Sequence, residues 1–220
     1  MSASAASPSP APERAGYHHG ALREALLAAA ETVLAERGLE GFSLREVARR
    51  SGVSPAAPAH HFGDAQGLLN AVAAQAFEAL REALEAGNAR GGTDPLARLR
   101  EQGLAYVDYA LAHPARFNLM FRCAGRPDEA LQHSGQAAYG VLEEGIRRLY
   151  GLAPGTVLAP AQQQALMAVW SVVHGFAHLL LSGQLDAGGG PAGRAGLRQG
   201  LLAPLLEQQL RGLVGQIGGG

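Results

Sequence analysis

The sequence predicts an all-α protein of about nine helices. Hydrophobic residues make up 47% of its 220 residues and aromatic residues only 5%, and alanine and leucine dominate the apolar set. No stretch alternates polar and apolar residues with the period of two that marks a half-buried strand. Apolar residues instead recur every three or four positions between breaks rich in glycine and proline, which is the pattern of amphipathic helices.

The N-terminal segment precedes the first of these helices. Residues 1–13 are mainly alanine, serine and proline, so we expect them to be disordered. Residues 14–20 contain Arg14 and two histidines, and they form either an arm that contacts a partner or a solvated tail. The first helix then ends at Gly38. Its apolar face is formed by residues at helical spacing: Leu22, Leu26, Ala29 and Val33.

Two short helices joined by a tight turn are predicted over residues 43–62. Ser43 and Glu46 have the spacing of a capping box, in which the hydroxyl caps the helix start while the glutamate reaches back. Gly52 lies where the turn needs a positive φ, and Ser54, which a proline follows, is a suitable N-cap for the second helix. This arrangement is typical of the helix-turn-helix that sets a recognition helix in the major groove of DNA, and an ordinary helical hairpin is the alternative.

The DNA-facing surface of such a motif would be weakly basic. Residues 14–63 carry six arginines against five glutamates, and the whole chain, which has no lysine, has a net charge of −1. Hydroxyl groups, helix N-termini and a second copy of the motif would therefore make much of the phosphate contact, and small side chains could meet thymine methyl groups. The predicted DNA-contacting residues are Ser43, Arg45, Ser54, Ala56, Ala57, Ala59, His60 and His61.

A larger helical region is predicted to follow. Asp64 can cap a fourth helix that runs to about Ala86, and Gly87–Thr93 then interrupts the helical pattern. Further helices are expected at 95–113, 127–150, 161–183 and 194–214, with a short segment at 116–121. The predicted domains are a tail (1–13), a helix-turn-helix domain (14–63) and a C-terminal domain (64–220).

Several blocks of the chain resemble the TetR family of bacterial transcription regulators. They cover roughly residues 17–70, whereas the C-terminal two thirds resembles the family mainly in its helical layout. One further block, from Trp170 to Gly175, is similar to a Trp-x-x-x-His-Gly signature in one group of TetR-like ligand domains. The N-terminal blocks are Tyr17–Arg23, Gly38–Ala48, Ser51–Ser54 and His60–Asp64 with Leu68-Leu69.

The resemblance implies a cytoplasmic repressor that binds palindromic, double-stranded operator DNA as a homodimer and is released by a small hydrophobic effector. It also implies that the last two helices of each copy pair as a four-helix bundle. Leucines of the final helix offer more apolar surface than a terminal helix usually needs, although this surface could instead pack on its own subunit. The predicted dimer residues are Leu197, Leu201, Leu205 and Leu210.

Most of the large aromatic residues fall in the C-terminal domain, on helices that the family packs around a ligand cavity. Trp170 and His174 lie one helical turn apart and can face one cavity, and the alternative is that they are ordinary core residues. His174 and His178 have the spacing of a helical metal pair, but no further ligand lies nearby in sequence, so we predict neither a metal site nor a cofactor. The predicted ligand-contacting residues are Tyr106, Tyr109, Phe117, Met120, Phe121, Tyr139, Trp170 and His174.

Three positions depart from the family pattern. Pro58-Ala59 stands where the recognition helix usually has Leu-Tyr, and Ala65 stands where a lysine usually follows. Pro58 would lie about four positions into the helix, where it removes a hydrogen bond unless the helix starts with a very short or 3₁₀-like turn. The alternative function is therefore an all-α small-molecule-binding protein with weakened or lost DNA binding.

Other classes of function find little support in the sequence. No nucleophile–base pair, carboxylate pair or phosphate-binding glycine loop marks an enzyme. Cys123 is the only cysteine, which excludes a disulfide framework and fits a reducing cytoplasm; it is either a redox sensor or a small buried residue. We expect neither a signal peptide nor a membrane span, since no run of about 18 apolar residues is uninterrupted.

Overall fold

The computed structural model describes residues 15–122, 128–185, 193 and 196–217. Throughout these ranges the regular secondary structure is helical and no strand occurs, which confirms the predicted all-α class. The predicted tail, Cys123 and the side chains of His18 and His19 lie outside the described part of the chain.

Nine α-helices follow one another in the described residues. The second and third are only seven and six residues long and form the predicted helix-turn-helix. The last is preceded by a π-helical turn, Arg198–Leu202. In chain order the helices are α1 (Ala15–Arg37), α2 (Leu44–Arg50), α3 (Ala57–Phe62), α4 (Ala65–Arg90), α5 (Pro95–Ala112), α6 (Pro114–Arg122), α7 (Glu129–Leu149), α8 (Pro160–Leu181) and α9 (Ala203–Ile217).

Aspartate side chains open three of the longer helices. Asp64 accepts a hydrogen bond of 2.8 Å from a backbone N–H in the first turn of α4. Asp94 accepts two such bonds at the start of α5, and Asp128 accepts one at the start of α7. Each carboxylate satisfies N–H groups that have no partner within the helix, so these caps fix where the three helices begin.

The capping box predicted at the start of α2 is wrong. Ser43 makes no side-chain hydrogen bond to the helix. Glu46 turns instead toward three arginines: Arg37 at 3.0 Å, Arg49 at 2.8 Å and Arg50 at 2.8 Å. Because Arg37 belongs to α1 and the other two belong to α2, the Glu46 carboxylate fixes α2 against α1.

The turn between α2 and α3 explains how Pro58 is tolerated. Gly52 has a φ of +67°, which is the positive value that the turn was predicted to need. α3 begins late, at Ala57, after a turn in which the Ala57 N–H donates to the Ser54 carbonyl oxygen at 3.0 Å. Pro58 is thus the second residue of the helix, where an N–H would have no partner, and its ring is buried. The prediction that it lies four positions into the helix is wrong.

α4 belongs to two hydrophobic cores. Its N-terminal half packs through Leu68 and Val72 against α1 and α2. Its C-terminal half packs through Leu80 and Leu84 against α5, α6, α8 and α9. The core of the N-terminal domain therefore extends beyond residue 63, the last residue of the predicted helix-turn-helix domain, into the first turns of α4.

α6 connects the same two cores at shorter range. Leu119 lies in the N-terminal core, whereas Phe117 and Met120 lie in the C-terminal core. Arg116, on the same helix, forms an ion pair with Glu31 of α1. A displacement of α6 would therefore change the packing of both cores.

α8 is the one described helix that is long and apolar enough to cross a membrane, judged by length and composition alone. A core helix of a folded domain passes the same test. Here α8 contributes Val173 and Phe176 to the C-terminal core, and Leu166 and Val169 to a third core with α5, α7 and α9. Of its most apolar 18-residue window, 33% is buried in the fold.

The two prolines around the start of α3 give a matched pair of stability tests. Pro58 is buried and Pro55 is exposed. We expect Pro58→Ala to lower the free energy of unfolding by about 1–3 kcal/mol. The substitution removes buried ring carbons, and it also raises the conformational entropy of the unfolded chain. Pro55→Ala raises only the conformational entropy of the unfolded chain, so it should lower the free energy of unfolding by at most about 1 kcal/mol. Urea denaturation followed by circular dichroism measures both, and equal losses would contradict the buried position of Pro58.

The Glu46 ion pairs predict a dependence of stability on pH. Hydrogen bonds from Arg49 and then Arg50 lower the pKa of Glu46 from its ordinary 4.5 to about 2. The folded state therefore gains from the charged form above pH 4.5 and loses this gain as the pH falls toward 2. We expect the difference in free energy of unfolding between the wild type and Glu46→Gln to be constant above pH 4.5 and to shrink below it.

The control for this measurement is Glu40→Gln, because Glu40 is exposed and forms no ion pair within the described residues. Urea denaturation at several pH values between about 7 and about 2.5 gives both curves. A wild-type-minus-Glu46→Gln difference that stays level down to the lowest pH would exclude the stabilising role of Glu46.

Candidate functional site

The predicted DNA surface is formed by α2, the turn and α3. Six of the eight predicted contact residues are exposed there, and the other two, Ala57 and His61, are half-buried. Their assignment to DNA contact stays a prediction. The exposed six are Ser43, Arg45, Ser54, Ala56, Ala59 and His60.

Buried side chains beneath this surface hold it in place. Val47 and Ala48 of α2 are almost completely buried, and so is the ring of Pro58 on α3. Ala56, the residue just before α3, and Ala59 on α3 are exposed to the solvent. Because both side chains are single methyl groups, the backbone of α3 can approach a partner surface closely.

Internal ion pairs neutralise most of the arginines near this surface. Glu46 engages three of them, and Arg50 also pairs with a glutamate of α1. Arg23 of α1 lies 5.2 Å from the centroid of the Phe62 ring, which is cation–π geometry. Arg45 is exposed and takes part in no salt bridge within the described residues, so its guanidinium is available to a phosphate.

An apolar cavity of about 370 Å³ lies inside the C-terminal domain. α4, α5, α6, α7 and α8 all contribute to its wall, so it sits where the largest number of long helices converge. Its volume is within the range of sites for small organic molecules. Of the eight residues predicted to contact a ligand, those that line this cavity are Tyr106, Met120, Phe121, Tyr139 and Trp170.

The other three predicted residues lie behind the cavity wall, contrary to the prediction. The Tyr109 hydroxyl donates to the Ala76 carbonyl oxygen at 2.7 Å, and burial raises the pKa of Tyr109 to about 12. Phe117 is completely buried in the C-terminal core. His174 Nδ1 is 2.7 Å from the Tyr106 hydroxyl oxygen, so it supports a residue that does line the cavity.

Sequence reasoning missed most of the aliphatic and amide residues of the wall. Gln102 could have been found, because it shares one face of α5 with Leu99 and Tyr106 at spacings of three and four. The aliphatic residues carry no such signal, since their spacing is that of any buried helix face. The missed residues include Phe77, Leu80, Gln102, Gly135, Val169 and Val173.

The cavity meets the solvent along α7. Gln132, Gln136 and Tyr139 line it, are exposed, and follow one another at spacings of four and three on one helix face. Gly135 lies among them. A Cβ added to Gly135 would be 3.8 Å from the ring of Phe77, which is an ordinary van der Waals distance. The mouth is therefore lined by amides and one phenol rather than by charged groups.

Among the residues that the structure describes, the cavity wall carries no arginine, aspartate, glutamate or histidine. Burial raises the pKa of Tyr106 and that of Tyr139, so both phenols are neutral at neutral pH. Behind the wall, burial and then the neighbouring His178 lower the pKa of His174. That imidazole is therefore also uncharged at neutral pH.

The two histidines of α8 lie close together, with ring centroids 4.5 Å apart. Phe117 and Phe121 pack against His174, and Phe117 also packs against His178. Within the described residues no group of three or more histidine, cysteine, aspartate or glutamate side chains is placed to hold a metal ion. The pair is thus part of an aromatic cluster behind the cavity.

Exposed apolar side chains concentrate on α8, the π-helical turn and α9. Leu201 and Leu205, two of the predicted dimer residues, are exposed, and Leu197 is half-buried. Leu210 is completely buried in the third core, so, contrary to the prediction, it has no surface to offer a second copy. Further large apolar residues exposed on these elements are Met167, Leu179 and Val214.

An N-terminal helix-turn-helix joined by a shared helix to a hollow helical domain defines the class of DNA-binding transcription regulators. Residues 26–72 match the family model for bacterial regulatory proteins of the tetR family, and residues 99–201 match the model for a tetracyclin repressor-like C-terminal domain. The chain belongs to the TetR family of transcriptional regulators, which are not enzymes.

Individual relatives agree with this placement. Over 78 residues, 36% of this chain, the sequence is 37% identical to the HTH-type transcriptional regulator BetI of Stenotrophomonas maltophilia (strain R551-3), and the match spans only 40% of that curated relative. A protein of unknown function from Rhodococcus sp. RHA1 is 32% identical with a TM-score of 0.74, covering 91% of this chain and all of the other. A transcriptional regulator from the same organism is 26% identical with a TM-score of 0.59, covering 88% and 96%.

The exposure of Arg45 leads to a prediction about DNA binding. Replacing Arg45 with glutamine should weaken binding about equally for all DNA sequences and flatten the dependence of log K on log salt by about 0.9 for each copy in contact. Fluorescence anisotropy on labelled duplexes at several salt concentrations measures the slope. The matched control is Arg81→Gln on α4, whose guanidinium already pairs with Glu85 at 2.7 Å. If the slope of log K against log salt is unchanged in Arg45→Gln, Arg45 does not contact a phosphate of the DNA.

Proposed function

We propose that this protein is a ligand-responsive repressor that binds palindromic operator DNA as a cytoplasmic homodimer and releases it when a small apolar effector enters the cavity. The observation that carries the proposal is the position of that cavity. α4 and α6 line it, and the same two helices contribute side chains to the core beneath the helix-turn-helix. An occupant would therefore press on two helices that pack beneath the DNA-reading surface.

The contacts of α6 supply a route for this effect. Met120 and Phe121 line the cavity, while Leu119 lies in the N-terminal core and Arg116 pairs with Glu31 of α1. A shift of α6 caused by an occupant would act on α1 through the ion pair and on the N-terminal core through Leu119. The effector would thereby favour one of two arrangements of the reading heads over the other.

The exposed apolar surface of α8 and α9 supports the homodimer. A helix-turn-helix dimer reads two half-sites about 34 Å apart, so the spacing between the two copies decides whether both can bind at once. Pairing through α8 and α9 would bury side chains such as Leu179 and Leu205 that each copy leaves exposed. The predicted eight DNA-contacting residues, on α2, the turn and α3, then belong to both half-sites of a palindrome.

A second candidate function is a ligand-binding protein of the same fold with weakened DNA binding. Two observations favour it: Ala59 and Ala65 offer no charged or hydrogen-bonding side chain, and Glu46 engages three arginines close to the reading surface. Fewer contacts with phosphate would lower the sequence-independent part of the affinity.

The experiment that separates the two functions is a gel shift on the intergenic DNA upstream of the protein's own gene, at about 50 mM and about 200 mM salt, with unrelated competitor DNA. The repressor predicts a band that survives the competitor and weakens as salt rises. A folded dimer that retards no DNA specifically would establish the second candidate instead.

The dimer surface gives a separate prediction. Leu205 is 39% exposed on α9, and a glutamate there would place a charge in the centre of the proposed four-helix bundle. We expect Leu205→Glu to be monomeric by size-exclusion chromatography with light scattering and to bind operator DNA at least about tenfold more weakly. The control is Val157→Glu, because Val157 is 86% exposed in the loop before α8. A dimeric Leu205→Glu variant would place the interface elsewhere.

A further inference from the structure

The cavity contains one deeply buried amide among apolar side chains. Gln102 is only 2% exposed, yet it lines the cavity. Its Oε1 atom accepts a hydrogen bond of 3.0 Å from Asn88 Nδ2 of α4. This bond fixes the amide plane and leaves Nε2 as the group that can donate a hydrogen bond to an occupant.

Close helix packing keeps Gln102 where it is. A Cβ added to Gly87 would be 2.7 Å from the Cβ of Ala105, and one added to Gly145 would be 2.8 Å from Cδ1 of Leu99 and 3.3 Å from Oε1 of Gln102. α4 and α7 therefore approach α5 on both sides of the glutamine. A buried amide held in this way is costly to leave without a partner, so an occupant that accepts its hydrogen bond is favoured over one that does not.

The remaining polar groups of the wall are already engaged or lie at the mouth. The Tyr106 hydroxyl is bonded to His174, and Tyr139 stands at the exposed edge of α7. Glu143, four residues further along α7, contributes to the raised pKa of Tyr139 and pairs with Arg147 at 3.2 Å. Within the described part of the wall, neither a cation nor an anion of an effector would meet an opposite charge.

We propose that the effector is an uncharged, largely apolar molecule with one hydrogen-bond acceptor, which Gln102 binds, and that charged molecules of the same size are excluded. This inference rests on the proposed function only in calling the occupant an effector. Moving a charged group from water into an apolar cavity is unfavourable when no opposite charge meets it there.

The first test uses the unchanged protein and ligands that share an apolar body and differ in a polar group that is neutral, anionic or cationic. Two fluorescent probes share one scaffold: N-phenyl-1-naphthylamine is neutral, and 1-anilinonaphthalene-8-sulfonate is an anion. Displacement of the neutral probe then compares decanamide, decanoate and decylamine, which share a ten-carbon chain, at neutral pH. We expect the neutral probe and decanamide to bind at least about tenfold more tightly than their charged counterparts. Decanoate or decylamine binding as tightly as decanamide would overturn the proposal.

The second test asks whether Gln102 is the polar contact. Gln102→Leu keeps the side-chain volume and should weaken decanamide about fivefold or more while leaving the neutral probe within about twofold. Gln75→Leu, the same change at an exposed position of α4, is the matched control. Since Gln102→Leu strands the amide of Asn88, the double variant with Asn88→Leu removes both groups and gives the same comparison. An unchanged affinity for decanamide in the folded variants would overturn the role of Gln102.

These measurements involve no DNA, so their outcome is separate from that of the proposed function. Gel shifts of the same samples show whether decanamide also releases DNA. If the protein binds decanamide but retards no DNA, the proposed preference for neutral ligands is supported and the proposed repressor function is excluded. A protein that retards DNA but binds neither neutral probe nor decanamide overturns the ligand chemistry and leaves DNA binding intact.

Discussion

The fold depends on one constraint: a single helix of 26 residues, α4, is part of two cores at once. Protein interiors are packed about as densely as organic crystals, so a displacement of α4 in one core cannot be absorbed without a change in the other. The carboxylate of Asp64 fixes where this helix begins, and close contact at Gly87 fixes its distance from α5. In the proposed function, the link between the cavity and the helix-turn-helix depends on this shared packing of α4, together with that of α6.

The helix-turn-helix and the cavity differ in how many charged side chains they contain. Around the helix-turn-helix, charges are abundant but satisfied by one another, with Glu46 at the centre of three arginines. Around the cavity, the wall residues that the structure describes are uncharged, and their polar groups are amides, phenols and the indole of Trp170. The first arrangement orients α2 while Glu46 and Glu36 of α1 offset part of the charge of three arginines, and the second favours neutral molecules in the proposed site.

The sequence predicted the helical class, the order of the helices and the position of the helix-turn-helix, because these depend on local spacing and on residues such as Gly52 whose backbone role is unambiguous. It failed where the outcome depended on competition between partners. Glu46 has the spacing of a capping residue, but in the structure its carboxylate pairs with three arginines, one of them from α1. Leu210 and Phe117 had the right character for a surface or a cavity, but which face of a helix meets which neighbour is decided by tertiary packing. Gln102 was visible as a polar residue on an apolar face, yet its burial came only from the approach of α4 and α7.

Gly135 has a consequence for engineering. It stands at the mouth of the cavity with room for a side chain, since a Cβ there only touches the ring of Phe77 at 3.8 Å. Replacing a helical glycine with alanine also favours the helix by about 1 kcal/mol. If the proposed function holds, a graded series of side chains at this position would narrow the entrance step by step and would select the molecules that enter by their size.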